Sequence, residues 1–196
     1  MKLIVITRPD CFAGEVEQME QLLQHGLEYL HLRKPGATVT EVEALLRQLP
    51  EWAHEKVVLH DHHELASRYG CRGIHLNRRH PLPPAHYTGS ISCSCHALQE
   101  VVERKAKCSY LFLSPIFDSI SKEGYGAGFT PQVLQEAKQQ GVIDQQVVAL
   151  GGVSLPKIAP LKEWGFGGVA LLGAIWQQPA ELFLPHFMQL REEVER

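Results

Sequence analysis

The chain has 196 residues, 44% of them hydrophobic and 21% charged, with a formal net charge of −3. This is ordinary globular composition; it excludes a disordered chain, a nucleic-acid binder built on a basic field and a protein held to membranes by a polybasic stripe. The longest apolar runs fall short of the roughly 20 residues of a spanning helix, and five scattered cysteines without a C-x-x-C motif fit a reduced, cytoplasmic protein.

Met1–Thr7 has neither the length nor the cleavage site of a secretion signal. Within it, LIVIT (3–7) is a short β-branched run of the kind buried on both faces. Helical spacing follows over 14–25, with Val16, Met19, Leu22 and Leu23 opposite Glu15, Glu17 and Glu20. YLHLR (29–33) predicts strand two. Thr40 opens a helix whose inner stripe is Val42, Leu45, Leu46 and Leu49, and Pro50 stops it. KVVLH (56–60) is strand three, followed by a short helix at 64–69 that ends on Gly70. RGIHL (72–76) is strand four, and the proline-rich 81–84 holds no long helix. SISCS (90–94) is strand five and 97–105 a helix. YLFLS (110–114) is strand six, then a glycine-rich loop over 122–129 and a helix begun by Pro131. VVAL (147–150), a helix over 156–164, GVALL (168–172) and a closing helix over 179–194 complete the chain.

Eight apolar strands alternating with helices predict an α/β fold with parallel strands. A doubly wound sheet competes with a (βα)8 TIM barrel. The unit count and the lack of G-x-G-x-x-G after strand one favour the barrel, as a single domain over 1–196.

In such a barrel the chemistry comes from the C-terminal strand ends. There stand Thr7, Arg8, His31, Arg33, Lys34, His60, Asp61, His75, Asn77, Ser92, Ser94, His96 and Ser114, then Ser119, Ser121 and Lys122 in the following loop, and finally Gly151, Gly152 and Gly173. Cations and hydroxyls dominate over one carboxylate, which suits a phosphate or diphosphate. Arg33 offers a planar fork to such an anion; its alternative is a salt bridge across the rim. Lys122 reads either as an anion ligand or as a solvated surface lysine. Gly151, Gly152 and Gly173 either let backbone N–H groups approach a phosphate or only make tight turns. Asp61 suits Mg²⁺ shared with substrate phosphates. Zinc would enlist His60, His62, His63 or His75, but no spacing matches a zinc signature. Cys93 and Cys95 read as packed, and His96 as either a helix-start or a pocket residue. His31, His60, His75 and His96 are candidates for acid/base work.

Several of these segments carry a resemblance. HLRK (31–34), VLHDHHELA (58–66), GIHL (73–76), SCSCHALQE (92–100), SPIFDSISKEG (114–124), VVALGGVS (147–154) and GGVALLGAI (167–175) resemble, in order, motifs of the thiamine phosphate synthase/TenI family. The resemblance implies a transferase of thiamine biosynthesis that joins hydroxymethylpyrimidine diphosphate to thiazole phosphate with Mg²⁺. Carried across, Arg33 and Lys122 grip the diphosphate and Asp61 binds the metal. Ser94, Ser119 and Ser121 contact substrate, and Gly151, Gly152 and Gly173 hold the thiazole phosphate. No family motif assigns the histidines; beside the carried-over set, His31 and His60 are taken as catalytic candidates and His96 as a substrate contact. The partners expected are small phosphorylated molecules rather than nucleic acid or membrane, with room for a homo-oligomer.

The chain departs from the family pattern at definite places. His31 replaces a glutamine, Pro35 a lysine (with Lys34 one place earlier) and His60 an asparagine. Asn77-Arg78-Arg79-His80 lacks the second magnesium aspartate expected there. Two alternatives therefore stand beside the synthase: a TenI-like thiazole tautomerase working by histidine acid/base chemistry, whose usual histidine position is Pro115 here, and a non-catalytic phosphate-binding or regulatory homologue.

Overall fold

Eight strands pair in chain order, all parallel, and β1 (Lys2–Ile6) closes the ring against β8 (Gly168–Leu171). The fold is thus a closed (βα)8 barrel, and the doubly wound alternative falls away. This computed structural model describes residues 1–118 and 128–196; Ser119, Ser121 and Lys122 lie outside the described residues. Between the closing strands come β2 (Tyr29–Leu32), β3 (Val57–Leu59), β4 (Gly73–Leu76), β5 (Ser90–Cys95), β6 (Tyr110–Leu113) and β7 (Val147–Leu150). The helices are α1 (Glu15–Gln24), α2 (Val39–Gln48), α3 (Glu51–His54), α4 (Glu64–Tyr69), α5 (Leu98–Arg104), α6 (Pro131–Gln139), α7 (Ile158–Glu163), α8 (Gly173–Trp176) and α9 (Ala180–Glu195). Among the described residues, no helix is long and apolar enough to cross a membrane.

The predicted elements are found within a few residues, and the differences have local causes. Helix α2 is opened by Thr38, not Thr40: the Thr38 hydroxyl accepts from the Glu41 N–H while the Glu41 carboxylate accepts from the Thr38 N–H. This capping box satisfies two orphan donors at once. Helices α3 and α8 were not expected, because four residues are too few to show a period.

Strand parity divides the interior. Outward side chains such as Leu3, Val5, Leu30, Leu32, Leu111 and Val169 bury against the helices in one large cluster. Inward, the β6–β1 half of the barrel is apolar, with Ile4, Ile6, Tyr110, Phe112, Val148 and Ala170 packed together. The β2–β5 half instead presents His31, His75 and Ser92, all buried. Polar groups in that position must hydrogen-bond to one another or destabilise the fold.

Candidate active site

At the C-terminal mouth of the barrel lies a cavity of about 910 Å³, bordered among others by Arg8, Arg33, His60, Asn77, Arg78, Arg79, Ser94, His96, Gly173 and Trp176. Arg33 is placed by Thr7, which is fully buried at the end of β1. The Thr7 Oγ1 accepts from the Arg33 N–H at 2.9 Å and donates to the Arg33 carbonyl at 3.2 Å. Two strand ends are thereby tied together, and the half-buried guanidinium is held over the cavity. It makes no ion pair or hydrogen bond among the described residues. Burial, with neighbouring Arg79, lowers its pKa from the usual guanidinium value, yet the group stays a cation in proteins. A guanidinium left without an anion partner keeps its donors available for a bidentate, charge-assisted bond.

Lys34 does not reach the cavity. Its ammonium is buried, donating to the carbonyls of Arg8 and Asp10 at 2.9 Å each and to the Glu15 carboxylate. All three donors are used inside the protein, so Lys34 ties down the β1–α1 loop that brings Arg8 to the rim.

His60 lines the cavity, whereas His31 lies behind it with no exposed surface. His31 Nδ1 and His60 Nε2 are 2.9 Å apart, and His31 Nε2 is 2.7 Å from the Tyr110 hydroxyl. A proton shared between two ring nitrogens demands at least one neutral acceptor. Burial, with the neighbouring imidazoles, holds His31 and His60 well below the usual imidazole range, and burial takes His75 down to about 3. Since His31 cannot touch a ligand, it supports His60 rather than acting itself.

His75 stacks on His60 with ring centroids 4.2 Å apart, its Nδ1 at 2.9 Å from Ser92 Oγ and its Nε2 at 2.9 Å from Ser94 Oγ. Ser92 donates its own proton to the Ile74 carbonyl, so it accepts from His75 Nδ1–H. His75 Nε2 then accepts from Ser94, whose lone pairs are left for the cavity. Sequence spacing missed this grouping: the nitrogens of His31, His60 and His75 lie within 4.8 Å of one another, a set different from the one considered for zinc. His62 turns away to the Ala37 carbonyl. Both nitrogens of His31 and of His75 are already engaged, so the set works as a neutral hydrogen-bonded network.

The remaining expected residues divide. His96 lines the cavity and is oriented by Ser114, its Nδ1 3.0 Å from the Ser114 carbonyl. Gly173 lines the cavity as well, at the start of α8. Gly151 and Gly152 are not in its lining; they have φ of +95° and +62°, which favours glycine, and pack against the 115–118 segment. A Cβ on Gly152 would sit 2.2 Å from the Asp118 carbonyl oxygen, but one on Gly173 would meet nothing closer than 3.5 Å. Gly152→Ala is therefore expected to cost at least about 1–2 kcal/mol from left-handed backbone alone, and Gly173→Ala no more than about 0.5 kcal/mol. Urea midpoints of the two variants check this, and equal losses would contradict it.

Asp61 is buried at the end of β3. Its Oδ1 accepts from Arg79 Nε at 3.0 Å and Nη2 at 2.7 Å, with His80 Nε2 at 3.4 Å, while Oδ2 has no partner among the described residues. Asn77 donates to the His60 carbonyl and accepts from the N–H groups of Arg79 and His80, so it too is committed internally. A magnesium ion here would have one carboxylate oxygen, on a group already neutralised by a guanidinium, with Arg33 close by. Mg²⁺ is commonly held by one or two carboxylates together with substrate phosphates; among the described residues the carboxylate offered here is already neutralised by Arg79, and in that pairing it does not fit the ion.

Residues 3–175 match the family model described as thiamine monophosphate synthase. The chain is 31% identical over 175 residues to a thiamine-phosphate synthase of Serratia proteamaculans, covering 84% of this chain and 81% of that one. A relative with the same name from Bacteroides fragilis is 29% identical over 178 residues, 84% of this chain and 86% of its own. The crystal structure of thiamine phosphate pyrophosphorylase from Bacteroides thetaiotaomicron superimposes with a TM-score of 0.91 at 38% identity, covering 100% of this chain and 98% of that one.

Proposed function

The chain belongs to the thiamine monophosphate synthase family, and from that premise we propose that it couples hydroxymethylpyrimidine diphosphate with thiazole phosphate to give thiamine phosphate and pyrophosphate. The observation that carries this reading is the Arg33 guanidinium, unpartnered among the described residues and half-buried at a strand end over the cavity.

In this reaction the bond from the pyrimidine methylene carbon to the diphosphate oxygen breaks, and its electron pair leaves with pyrophosphate. The thiazole nitrogen supplies the pair for the new C–N bond. Negative charge grows on the leaving group, so the catalyst's work is to hold cations against it. Arg33 takes that role at the cavity, and Lys122, in the SPIFDSISKEG segment, is assigned to the same leaving group. Ser94 offers lone pairs, which suits a ring amino group. His96, Ser119 and Ser121 are assigned to substrate hydrogen bonds, and the backbone around Gly173 to the thiazole phosphate. Incubating the purified protein with both precursors and following products by mass tests the reading. Thiamine phosphate and pyrophosphate are expected in equal amounts; no product at high enzyme concentration overturns it.

One observation favours a second reading, aromatisation of a thiazole carboxylate phosphate. His60 lines the cavity with His31 hydrogen-bonded behind it, an arrangement suited to moving a proton. The same mass assay separates the two, because this product would form with no diphosphate present.

A further inference from the structure

We propose that this cavity binds a diphosphate directly through the guanidinium groups of Arg33, Arg78 and Arg79, without a divalent metal, and that Arg79 closes Asp61 to metal by pairing with it. The inference rests on the synthase reading for the identity of the diphosphate, not for the anion site itself.

Charge comes first. The three guanidiniums border one cavity, whose lining holds no carboxylate among the described residues, and the buried Asp61 pairs with Arg79 beside it. Arg79 spends two of its donors on Asp61 Oδ1, while Arg33 and Arg78 have no ion-pair or hydrogen-bond partner among the described residues. The mouth therefore carries excess positive charge before any ion binds. A dication placed on Asp61 would lie beside Arg79 and Arg33. Their repulsion would cancel most of the attraction of one carboxylate.

Geometry comes second. Guanidinium forks bind phosphate oxygens in bidentate fashion, and two phosphoryl groups in one molecule match two free forks. Asn77 fixes the loop that delivers the arginines, since its Oδ1 accepts from the N–H groups of Arg79 and His80 and its Nδ2 donates to the His60 carbonyl. Arg79 is 43% exposed at its side chain, against 7% for Asp61. It can swing part of its fork to an incoming anion while Asp61 stays buried.

The test is calorimetric titration of the full chain with inorganic pyrophosphate, in EDTA and in millimolar magnesium. Binding in EDTA is expected, with magnesium tightening it less than threefold. Binding that appears only with magnesium overturns the proposal. Arg79→Ala is expected to weaken binding in EDTA at least about tenfold and to restore a response to magnesium, because Asp61 is then free. Asp61→Asn is expected to tighten binding by releasing Arg79; a loss of affinity confined to magnesium buffer would mean that Asp61 is a metal ligand after all. Circular dichroism confirms that each variant is folded. Because pyrophosphate alone is the probe, failure of the synthase reading shows separately, as absent product with anion binding intact.

Discussion

Arg33→Ala is expected to lower kcat/KM for thiamine phosphate formation by about 10²–10³-fold, the effect of removing one preorganised donor from developing charge, while leaving the fold as stable as before or slightly more so. Stability and activity part because Arg33 has no anion partner among the described residues. Burial and Arg79 disfavour its charge more than the nearby Asp61 favours it, and Asp61 keeps its Arg79 partner when Arg33 is removed. Residues kept for function commonly carry such a cost. Arg33→Lys keeps the charge but loses the planar fork, and is expected to recover only a small part of the rate. Steady-state kinetics beside urea denaturation decide the matter. A variant that loses stability and rate together would make Arg33 a structural residue.

Acid should unfold this protein early. His31, His60 and His75 are held neutral in the fold, with pKa values depressed below that of an unfolded imidazole. The unfolded chain therefore binds more protons, and stability rises with pH. The contribution is fully present above the unfolded value near 6.5 and is lost as pH falls through it. Each ring that remains neutral loses about 2 kcal/mol between pH 7 and pH 5 by this linkage. For three rings that rivals the whole stability of a typical domain, about 5–15 kcal/mol. Glu15 acts the other way, since burial raises its carboxyl pKa despite the adjacent Lys34, but one group offsets only part of the loss. Urea midpoints at pH 8, 7, 6 and 5 should fall steeply below pH 6.5. A flat profile would mean that the imidazoles are already charged or that water reaches them.

Much of this was legible in the sequence. Short apolar runs alternating with helical stretches, with Pro and Gly at their boundaries, suffice for eight strands because parallel barrel strands are covered on both faces. The strand-end reading also gathered the right residues: His31 in YLHL, His75 in GIHL and Ser92 and Ser94 in SISCS, which the barrel turns inward while their neighbours face the helices. What parity cannot give is which strand lies beside which rotamer, so the contacts between His31 and His60 and between His75 and Ser94 had to come from three dimensions. Loops were harder still. Lys34 reads as one more cation at a strand end, and only the fold of the β1–α1 loop shows its ammonium enclosed by carbonyls and Glu15. Likewise, Asp61 and Arg79 are separated by a strand and a helix, and their pairing depends on how Asn77 turns the chain.

The polar half of the barrel also limits how this sequence can drift. Replacing His31 alone by leucine would strand a nitrogen of His60 in the interior and take from the Tyr110 hydroxyl its imidazole partner; replacing Ser92 alone would strand His75 Nδ1. Each first step costs more than the same step taken after its partners have changed, so the effects are strongly non-additive. Lineages descending from such a chain should keep the histidines, serines and tyrosine as one inherited block, or exchange them together for the apolar filling of the opposite half.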